Sequence, residues 1–464
     1  MAVAWAVILE AARVVAVLVL VILAAYTYRS LFFALYRLFS PGRMDYTDLA
    51  GFHLPFVSVL VPMHNEEAVA EDILEALAQS DYPKDPERME VIAVDDHSTD
   101  ATGKILDDYA RRYSWVKVLH RQGGKRGKAA ALQAGTEAAR GEVLVVFDAD
   151  YVPGRSLLKF LVAPFADPEI GAVMGRVVPH NVGTSLLSRL LDLERAGGYQ
   201  VVQQARHSLG LIPQYGGTAG GVRRAALDAV GGWDPRSLTE DTDLTLRLVI
   251  GGWKIAYVNR AECYEEVPET WEGRRLQIER WALGHTDCLH RHLKPLLRSA
   301  YLTPREKLDG VFLLGAYLTA PLIALGWAAT AILFFGGQSY LPVWVPFFLA
   351  STCFNAIGNF ASFFEIGSSA LLDGAGRRVR LLPLNVANFV FSTVTVTGAL
   401  AKYYASRARG RTLAWNKTDR HRNGNGSANG NGDAYSNGRG LNHIKARAAA
   451  AGMQRSMRAR GMDS

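Results

Sequence analysis

The chain has 464 residues, more than one ordinary hydrophobic core holds, so more than one domain is expected. Its formal net charge of +7 would suit a nucleic-acid partner. Many basic residues flank apolar segments, however, where anionic lipid explains them equally well. We therefore expect membrane lipids and no nucleic acid as partners. The cysteines are too scattered for a zinc site or a disulfide framework, in agreement with a reducing cytoplasm: Cys263, Cys288 and Cys353.

The first segment of the chain is apolar from Ala4 to Tyr26, apart from two charged residues. A helix needs roughly 20 apolar residues to cross a bilayer, so this run predicts a transmembrane segment within residues 1–40. It lacks the basic stretch and the small-residue cleavage site of a signal peptide. The basic residues that follow it place the next part of the chain in the cytoplasm: Arg29, Arg37 and Arg43.

Strand and helix patterns alternate between Pro55 and Phe147 and predict an α/β domain. Runs of β-branched residues predict strands at Phe56–Val61, Glu90–Val94, Val116–Leu119 and Val143–Phe147. Helical patterns lie between them, at Glu66–Gln79, Asp100–Tyr113 and Gly127–Ala139. This alternation favours a parallel, doubly wound sheet, in which ligands bind beyond the carboxyl ends of the strands.

Polar clusters follow the first, second and fourth predicted strands, at residues 63–67, 95–100 and 148–150. Each cluster alone has a simpler explanation, because Asn65, Ser98 and Asp100 precede helices and such residues commonly cap them. Helix capping does not require acids at successive strand ends, however. We therefore expect one polar site along this edge of the sheet.

A basic, glycine-rich turn at residues 123–128 enters a predicted helix. It is not a phosphate-binding P-loop, because that motif needs glycine at the position of Gln122 and Ser or Thr at the position of Ala129. Its lysines and the helix N-terminus would suit a diphosphate. A solvated basic loop is the alternative explanation.

Three later apolar runs predict a C-terminal transmembrane region at residues 305–405: Val311–Phe335, Leu341–Phe364 and Leu384–Ala401. Three spans here would leave the tail outside the cell, whereas the basic residues after Ala401 favour the cytoplasm. One span is therefore expected to be interfacial or re-entrant, with residues 363–382 the candidate segment. The tail, residues 406–464, is rich in Asn, Gly and Ser and is expected to be cytoplasmic and largely disordered.

Two segments in the middle of the chain predict helices at the membrane surface. Ser185–His207 combines a stripe of leucines with Arg189, Arg195 and Arg206; packing onto the α/β domain is the alternative. In the second segment, Gly273–Cys288, three residues at i, i+3 and i+4 share one face if it is helical: Gln277, Arg280 and Trp281. That face would close an acceptor site, or the tryptophan would anchor the helix at the headgroups.

Four acidic and aromatic motifs follow one another in the order Asp96, Asp148-x-Asp150, Thr239-Glu240-Asp241 and Gln277-x-x-Arg280-Trp281. This series resembles the D, DxD, TED, QxxRW signature of processive family 2 glycosyltransferases, such as cellulose, hyaluronan and mannan synthases. The resemblance runs from about Pro55 to His292. It implies a cytoplasmic GT-A-type, Rossmann-like catalytic domain over residues 50–300, held at the plasma (inner) membrane by N- and C-terminal transmembrane helices.

The resemblance also implies the activity. The expected reaction is inverting transfer of sugar from a nucleotide diphosphate donor, a UDP- or GDP-sugar, to a growing β-linked polysaccharide that is secreted across the membrane. Non-processive glycosylation of a membrane lipid is the alternative. Carboxylates select hard cations, so the expected cofactor is Mg²⁺ or Mn²⁺.

Roles for single residues on the donor side follow from the same resemblance. Asp150 and Asp148 are expected to hold the metal ion, and Asp95 is expected to be structural. The expected donor contacts are Asp96, Asp148, Lys128 and Arg280.

The base and the acceptor contacts are assigned in the same way. Asp241, with Glu240 beside it, is the expected general base, because a carboxylate can remove the proton of a sugar hydroxyl as it attacks. A helix cap is the alternative role for Asp241. The expected acceptor contacts are Trp281, Gln277 and Thr239. The segment Leu413–Thr418 resembles a cytoplasmic gating segment of some relatives, from which its sequence departs.

Overall fold

A mixed β-sheet forms the centre of the protein in a computed structural model that describes residues 2–40, 46–336 and 362–409. In this part of the chain the strands are β1 Val57–Met63, β2 Met89–Asp96, β3 Val116–Arg121, β4 Val143–Val146, β5 Val152–Pro153, β6 Ile170–Pro179, β7 Gly220–Arg223 and β8 Lys254–Glu265. They lie side by side in the order β3-β2-β1-β4-β7-β6-β8-β5.

Several of the helices in the described residues pack against this sheet. They are α1 Ala2–Phe39, α2 Ala70–Ala78, α3 Thr102–Arg112, α4 Lys128–Ala138, α5 Leu157–Val162, α6 Leu186–Ala196, α7 Gln204–Ser208, α8 Arg224–Ala229, α9 Glu240–Ile250, α10 Trp271–Arg298, α11 Pro304–Gly315, α12 Thr319–Phe335, α13 Phe363–Leu372 and α14 Leu382–Ala408. A π-helical segment, Gly197–Gln203, joins α6 to α7.

The first half of the sheet is parallel, as the sequence predicts. β1 pairs in parallel with β2 and β4, and β2 pairs in parallel with β3. The residues of β1, β2 and β4 are almost all buried, which agrees with strands covered by helices on both faces. The predicted strand ends lie within two residues of the observed ones.

Beyond β4 the sheet is mixed, so the parallel arrangement predicted from Pro55–Phe147 does not extend to the whole sheet. β6 and β8 pair in parallel, but other neighbouring strands do not. β7 runs antiparallel to both β4 and β6, and β5 runs antiparallel to β8. β7 can lie so close to its neighbours because it begins with two glycines. A Cβ atom at Gly220 would lie 2.5 Å from the ring of Tyr215, and one at Gly221 would lie 3.0 Å from that of Phe165.

The segment predicted as one surface helix, Ser185–His207, divides into α6, the π-helical segment and α7. Ser185 caps α6, because its hydroxyl accepts a hydrogen bond from the Ser188 N–H at 3.0 Å. Arg189 is exposed, but Arg195 and Arg206 are buried. The burial of these two arginines favours the alternative, in which this segment packs onto the α/β domain.

Three helical stretches in the described residues are long and apolar enough to cross a membrane: Val3–Phe39, Pro304–Phe335 and Gly376–Ala408. They include the predicted spans near the N-terminus, at Val311–Phe335 and at Leu384–Ala401. The predicted span Leu341–Phe364 lies almost entirely outside the described residues, as do nearly all of the tail 406–464 and the segment Leu413–Thr418. α13 lies in residues 363–382, the segment that we expected to be interfacial or re-entrant. It has 10 residues, too few to cross a bilayer.

A buried ion network joins the first and second of these stretches to the rest of the protein. Asp309 of α11 pairs with Arg29 of α1 at 2.8 Å and with Arg206 of α7 at 3.1 Å. All three side chains are largely buried, so each charge needs the others. The network fixes α1 and α11 against α7, close to the sheet.

Candidate active site

The loops that follow β1 and β2 are hydrogen-bonded to each other. The Asn65 N–H donates to the Ser98 hydroxyl at 3.0 Å, and the Thr99 N–H donates to Asn65 Oδ1 at 2.7 Å. The first two polar clusters therefore meet at one sheet edge, as predicted. Asn65 and Ser98 cap no helix, since α2 and α3 begin only at Ala70 and Thr102.

Asp96 ends β2 and is bonded on both carboxylate oxygens. Oδ1 contacts Arg121 and, at 2.8 Å, His97, while Oδ2 accepts a hydrogen bond from the Gly127 N–H at 2.9 Å. The glycine-rich turn is thereby attached to Asp96, which is predicted to contact the sugar-nucleotide donor. Its neighbour Asp95 is bonded to Ser98 and His120, which outweigh burial and lower the pKa of Asp95.

Lys128, the first residue of α4, brings the next two motifs together. Its Nζ lies 2.7 Å from Oδ1 of Asp148 and 3.2 Å from Oε1 of Glu240. Burial alone would lower the pKa of Lys128, but Asp148 and Glu240 outweigh it and raise the pKa. The ammonium group is therefore charged and lies between two of the predicted site carboxylates.

Asp241 lies next to this cluster, in the first turn of α9. Its Oδ1 accepts a hydrogen bond from the Thr242 N–H at 2.7 Å. Burial and the charge of Glu240 raise the pKa of Asp241 to about 7, although Lys128 and Arg280 act in the opposite direction. A carboxylate with such a pKa is half ionised near neutral pH and can exchange a proton there.

Asp148 and Asp150 both follow β4, where the chain leaves the sheet. The Asp148 N–H donates to the Thr218 hydroxyl at 3.0 Å, and Asp150 is buried. Carboxylate oxygens are ligands for hard divalent cations. A cation already lies against Asp148, namely the ammonium of Lys128. Two carboxylates at one strand end are donors of the type that Mg²⁺ and Mn²⁺ take, and metal binding by Asp148 and Asp150 stays a prediction.

A second group of side chains that could bind a metal ion lies between α9 and α10. The sequence did not predict it, because the cysteines are scattered along the chain. Atoms of Asp243, Cys288 and His292 lie within 4.8 Å of one another. Asp243 is already paired with Arg247 at 2.8 Å and Arg291 at 3.1 Å. Burial also raises the pKa of the Cys288 thiol to about 12. We interpret the group as a structural ion-pair cluster.

α10 carries the last motif, as predicted, but it is longer than the predicted Gly273–Cys288. Gln277 Oε1 accepts a hydrogen bond from Arg274 at 2.9 Å, and Arg280 is near enough to Asp241 to lower its pKa. The indole of Trp281 lies beneath two guanidinium groups, with Arg195 Cζ at 5.3 Å and Arg274 Cζ at 5.6 Å from the ring centroid.

Thr239 lies between α9 and α10. Its hydroxyl is 3.6 Å from Cys288 Sγ, and a Cβ atom built at Gly284 would lie 2.3 Å from the Thr239 methyl carbon. The side chain is buried in this packing. This position favours a packing role for Thr239, and its contact with an acceptor stays a prediction.

Sequence reasoning placed Arg195 on a surface helix and gave no site role to it or to three other charged residues near the last motif: Glu194, Glu265 and Arg274. Arg274 and Glu194 form a buried ion pair at 2.7 Å, and Arg195 and Glu265 form another at 2.5 Å. One signal was available, because Glu194 and Arg195 interrupt the apolar stripe of α6. A buried charge on an apolar stripe needs a partner elsewhere in the chain.

Comparisons with known proteins relate the chain to glycosyltransferases. A family model described as glycosyltransferase like family 2 matches residues 55–284. The Bacillus subtilis protein YdaM, named a probable glycosyltransferase, is 36% identical over 235 residues, which is 50% of this chain and 56% of YdaM. A beta-monoglucosyldiacylglycerol synthase of Synechocystis is 38% identical over 232 residues, 50% of this chain and 48% of the synthase. The chain thus spans about half the length of these relatives.

The fold is similar to that of the mannosyltransferase PcManGT from Pyrobaculum calidifontis, solved in complex with GDP-Man and Mn²⁺, with a TM-score of 0.56. This similarity covers 85% of the chain and 99% of that structure at 20% identity, so it concerns the fold alone. The mixed sheet is accordingly GT-A-like. Residues 55–284 therefore match a family 2 glycosyltransferase domain and have a GT-A-like fold.

Proposed function

We propose that this domain transfers a sugar from a UDP- or GDP-sugar to an acceptor hydroxyl, with inversion at the anomeric carbon. The proposal rests on the cluster in which Lys128 contacts Asp148 and Glu240 beside Asp241. Such a transfer needs positive charge for the departing diphosphate and a base for the acceptor. In this cluster Lys128 supplies the positive charge and the adjacent Asp241 supplies the base.

Asp241 is the general base in this proposal. Its ionised carboxylate takes the proton of the acceptor hydroxyl while that oxygen bonds to the anomeric carbon. The bond from this carbon to the diphosphate breaks, and its electron pair leaves with the nucleoside diphosphate. Because the acceptor attacks opposite the leaving group, an α-linked donor gives a β-linked product. A pKa of about 7 suits a base that works at neutral pH.

Lys128 and Arg280 neutralise the diphosphate of the donor, since both carry positive charge close to Asp241. Asp96 contacts the nucleotide base, held in place by Arg121 and the Gly127 N–H. Asp148 and Asp150 would hold Mg²⁺ or Mn²⁺, which would stabilise the charge that develops on the leaving diphosphate.

A growing β-linked polysaccharide is the first candidate acceptor, supported by the shared helical face of Gln277, Arg280 and Trp281. A membrane lipid is the second, supported by the similarity to a beta-monoglucosyldiacylglycerol synthase. The arginines beside Trp281 favour an uncharged acceptor in both cases. Arg195 and Arg274 are each neutralised by a buried carboxylate, so neither offers a free charge to a phosphate.

The apolar helices support a membrane location. We propose that residues 1–40 and 305–405 anchor the enzyme in the inner membrane, with the catalytic domain, residues 50–300, on the cytoplasmic side. An acceptor lipid or a growing glycan would then reach α10 from the membrane.

The test is to incubate the purified protein with a panel of UDP- and GDP-sugars, with and without diacylglycerol vesicles, and to measure nucleotide release and product mass. For a polymer, Trp281→Ala should shift products toward short chains. For a lipid acceptor it should slow a single addition. Trp271→Ala is the matched control, because Trp271 lies on the same helix against Phe391. If the only product under every condition is lipid carrying one sugar, the acceptor is not a polysaccharide. If no UDP- or GDP-sugar releases its nucleotide, the proposed transferase activity is wrong.

A further inference from the structure

Two consecutive residues of α6, Glu194 and Arg195, carry opposite charges and are both buried. Arg195 makes a two-point contact with Glu265 at the end of β8, with Nε at 2.5 Å from Oε1 and Nη2 at 3.2 Å from Oε2. A guanidinium held at two points by a carboxylate has a fixed plane. The position of the Arg195 side chain is therefore set by β8.

The Glu265 carboxylate also contacts the segment that carries Asp148 and Asp150. Glu265 Oε2 accepts a hydrogen bond from the Tyr151 hydroxyl at 2.7 Å, and Tyr151 is the residue after Asp150. At its other end, the Arg195 guanidinium lies over the indole of Trp281 at 5.3 Å from the ring centroid. One chain of buried contacts thus runs from Tyr151 through Glu265 and Arg195 to Trp281.

We propose that Arg195 is a positioning residue that holds the indole of Trp281 at a fixed place relative to the strand end of Asp148 and Asp150. This inference rests on the proposed function, because it takes Trp281 as an acceptor contact and the two aspartates as the donor side. Transfer requires the acceptor oxygen and the anomeric carbon to be aligned. A contact chain between the two sides would supply that alignment.

Arg274 also lies over Trp281, but its partners lead elsewhere. Its guanidinium contacts Glu194 at 2.7 Å, and Glu194 in turn accepts a hydrogen bond from Asn388 of α14 at 2.9 Å. Arg274 therefore joins Trp281 to α14, whereas Arg195 joins it to the donor side. The contact chain through Arg195 is therefore the one that affects sugar transfer.

The variants for the test are Arg195→Met, Arg195→Lys and Glu265→Gln. The lysine and glutamine variants keep the size of the site if the methionine variant folds poorly. The matched control is Arg176→Met, an equally buried arginine paired with Asp373 at 2.9 Å and away from Trp281. Each variant is also made in the Trp281→Ala background.

We expect Arg195→Met to raise the acceptor KM about 10-fold, because the variant loses one buried cation–π contact. The donor KM should be nearly unchanged. The fraction of donor that is hydrolysed without transfer should rise. In the Trp281→Ala background the same change should have no further effect, because the two residues act as one unit. An equal rise in acceptor KM in both backgrounds, or an equal rise in Arg176→Met, would overturn the proposal.

Near-ultraviolet circular dichroism gives a readout that needs no activity. The difference between wild type and Trp281→Phe isolates the signal of the ordered Trp281 indole. Arg195→Met should lose that signal and Arg176→Met should keep it. Wild-type protein that turns over no nucleotide sugar would refute the proposed function, whereas a Trp281 signal that persists in Arg195→Met would refute the positioning role.

Discussion

The Nζ atom of Lys128 lies 2.7 Å from Oδ1 of Asp148, so an ammonium ion faces the carboxylate that we expect to hold a metal ion. Lys128→Met should raise the donor KM about 10- to 100-fold, the effect of losing one charge-assisted hydrogen bond to the diphosphate. Initial rates over a range of donor concentrations measure this. Lys104→Met, on the exposed side of α3, is the control. An unchanged donor KM would remove Lys128 from the donor site.

Metal dependence tests the two aspartates after β4. Asp150→Ala should lower kcat/KM by about 10³-fold, because a metal ion contributes several kcal/mol to the stabilisation of the leaving group. Excess chelator should stop wild-type turnover, and added Mn²⁺ or Mg²⁺ should restore it. Asp228→Ala, at an exposed position of α8, is the control. Full turnover in chelator would show that the two carboxylates serve another purpose.

Asp241→Asn separates base catalysis from binding. The amide keeps the shape of the carboxylate but cannot accept a proton, so the rate of transfer should fall by about 10²- to 10⁴-fold. Donor affinity, measured by titration calorimetry, should change little. If donor affinity fell as far as the rate, Asp241 would be a binding residue.

The pH dependence of the reaction should follow the ionisation of Asp241. Since the base must be ionised, kcat/KM should fall with decreasing pH around the Asp241 pKa of about 7. Glu240→Gln removes a negative neighbour and should move this limb to lower pH. Lys128→Met removes a positive neighbour and should move it to higher pH. Shifts in the same direction for both variants would contradict the assignment.

The ionisation of Asp241 also has a consequence for stability. Folding raises its pKa from 3.8 to about 7, so its stabilising contribution is full below pH 3.8 and is lost as the pH rises through 7. Asp241→Asn should therefore raise the Tm at pH 8 more than at pH 5, as scanning fluorimetry can measure. A gain that is independent of pH would mean that this carboxylate has an ordinary pKa in the folded protein.

The ion pair between Arg274 and Glu194 is almost fully buried on both sides. Glu194→Gln leaves a buried guanidinium without its counter-charge and should lower the free energy of unfolding by about 3–5 kcal/mol. Replacing both residues with methionine should recover part of this loss. Glu272→Gln, which breaks an exposed pair on the same helix, should change stability little. An equally small effect of Glu194→Gln would mean that water reaches the pair.

The parallel half of the sheet could be predicted from the sequence because its strands are short β-branched runs between amphipathic helices. β7 could not, since Gly220 and Gly221 have low strand propensity and the strand forms through tertiary contacts. β6 was also missed, as Gly171, Gly175 and Arg176 interrupt its apolar pattern.

The candidate site divides in a similar way. Asp96, Asp148, Glu240 and Asp241 stand in recognisable motifs, and Lys128 stands in a recognisable basic turn. Arg195 has no such context, because its partners Glu265 and Trp281 are distant in sequence and only the folded chain brings them together. Spacing along a chain predicts which residues share an element, but not which elements pack.

The configuration of the product tests the central claim most directly. Purified enzyme is given an α-linked nucleotide sugar, and the anomeric proton of the new linkage is observed by NMR. Direct attack by an acceptor that Asp241 deprotonates predicts a β-linkage, formed about 10²- to 10⁴-fold more slowly by Asp241→Asn. An α-linked product, which would mean that the anomeric configuration is retained, would contradict the account.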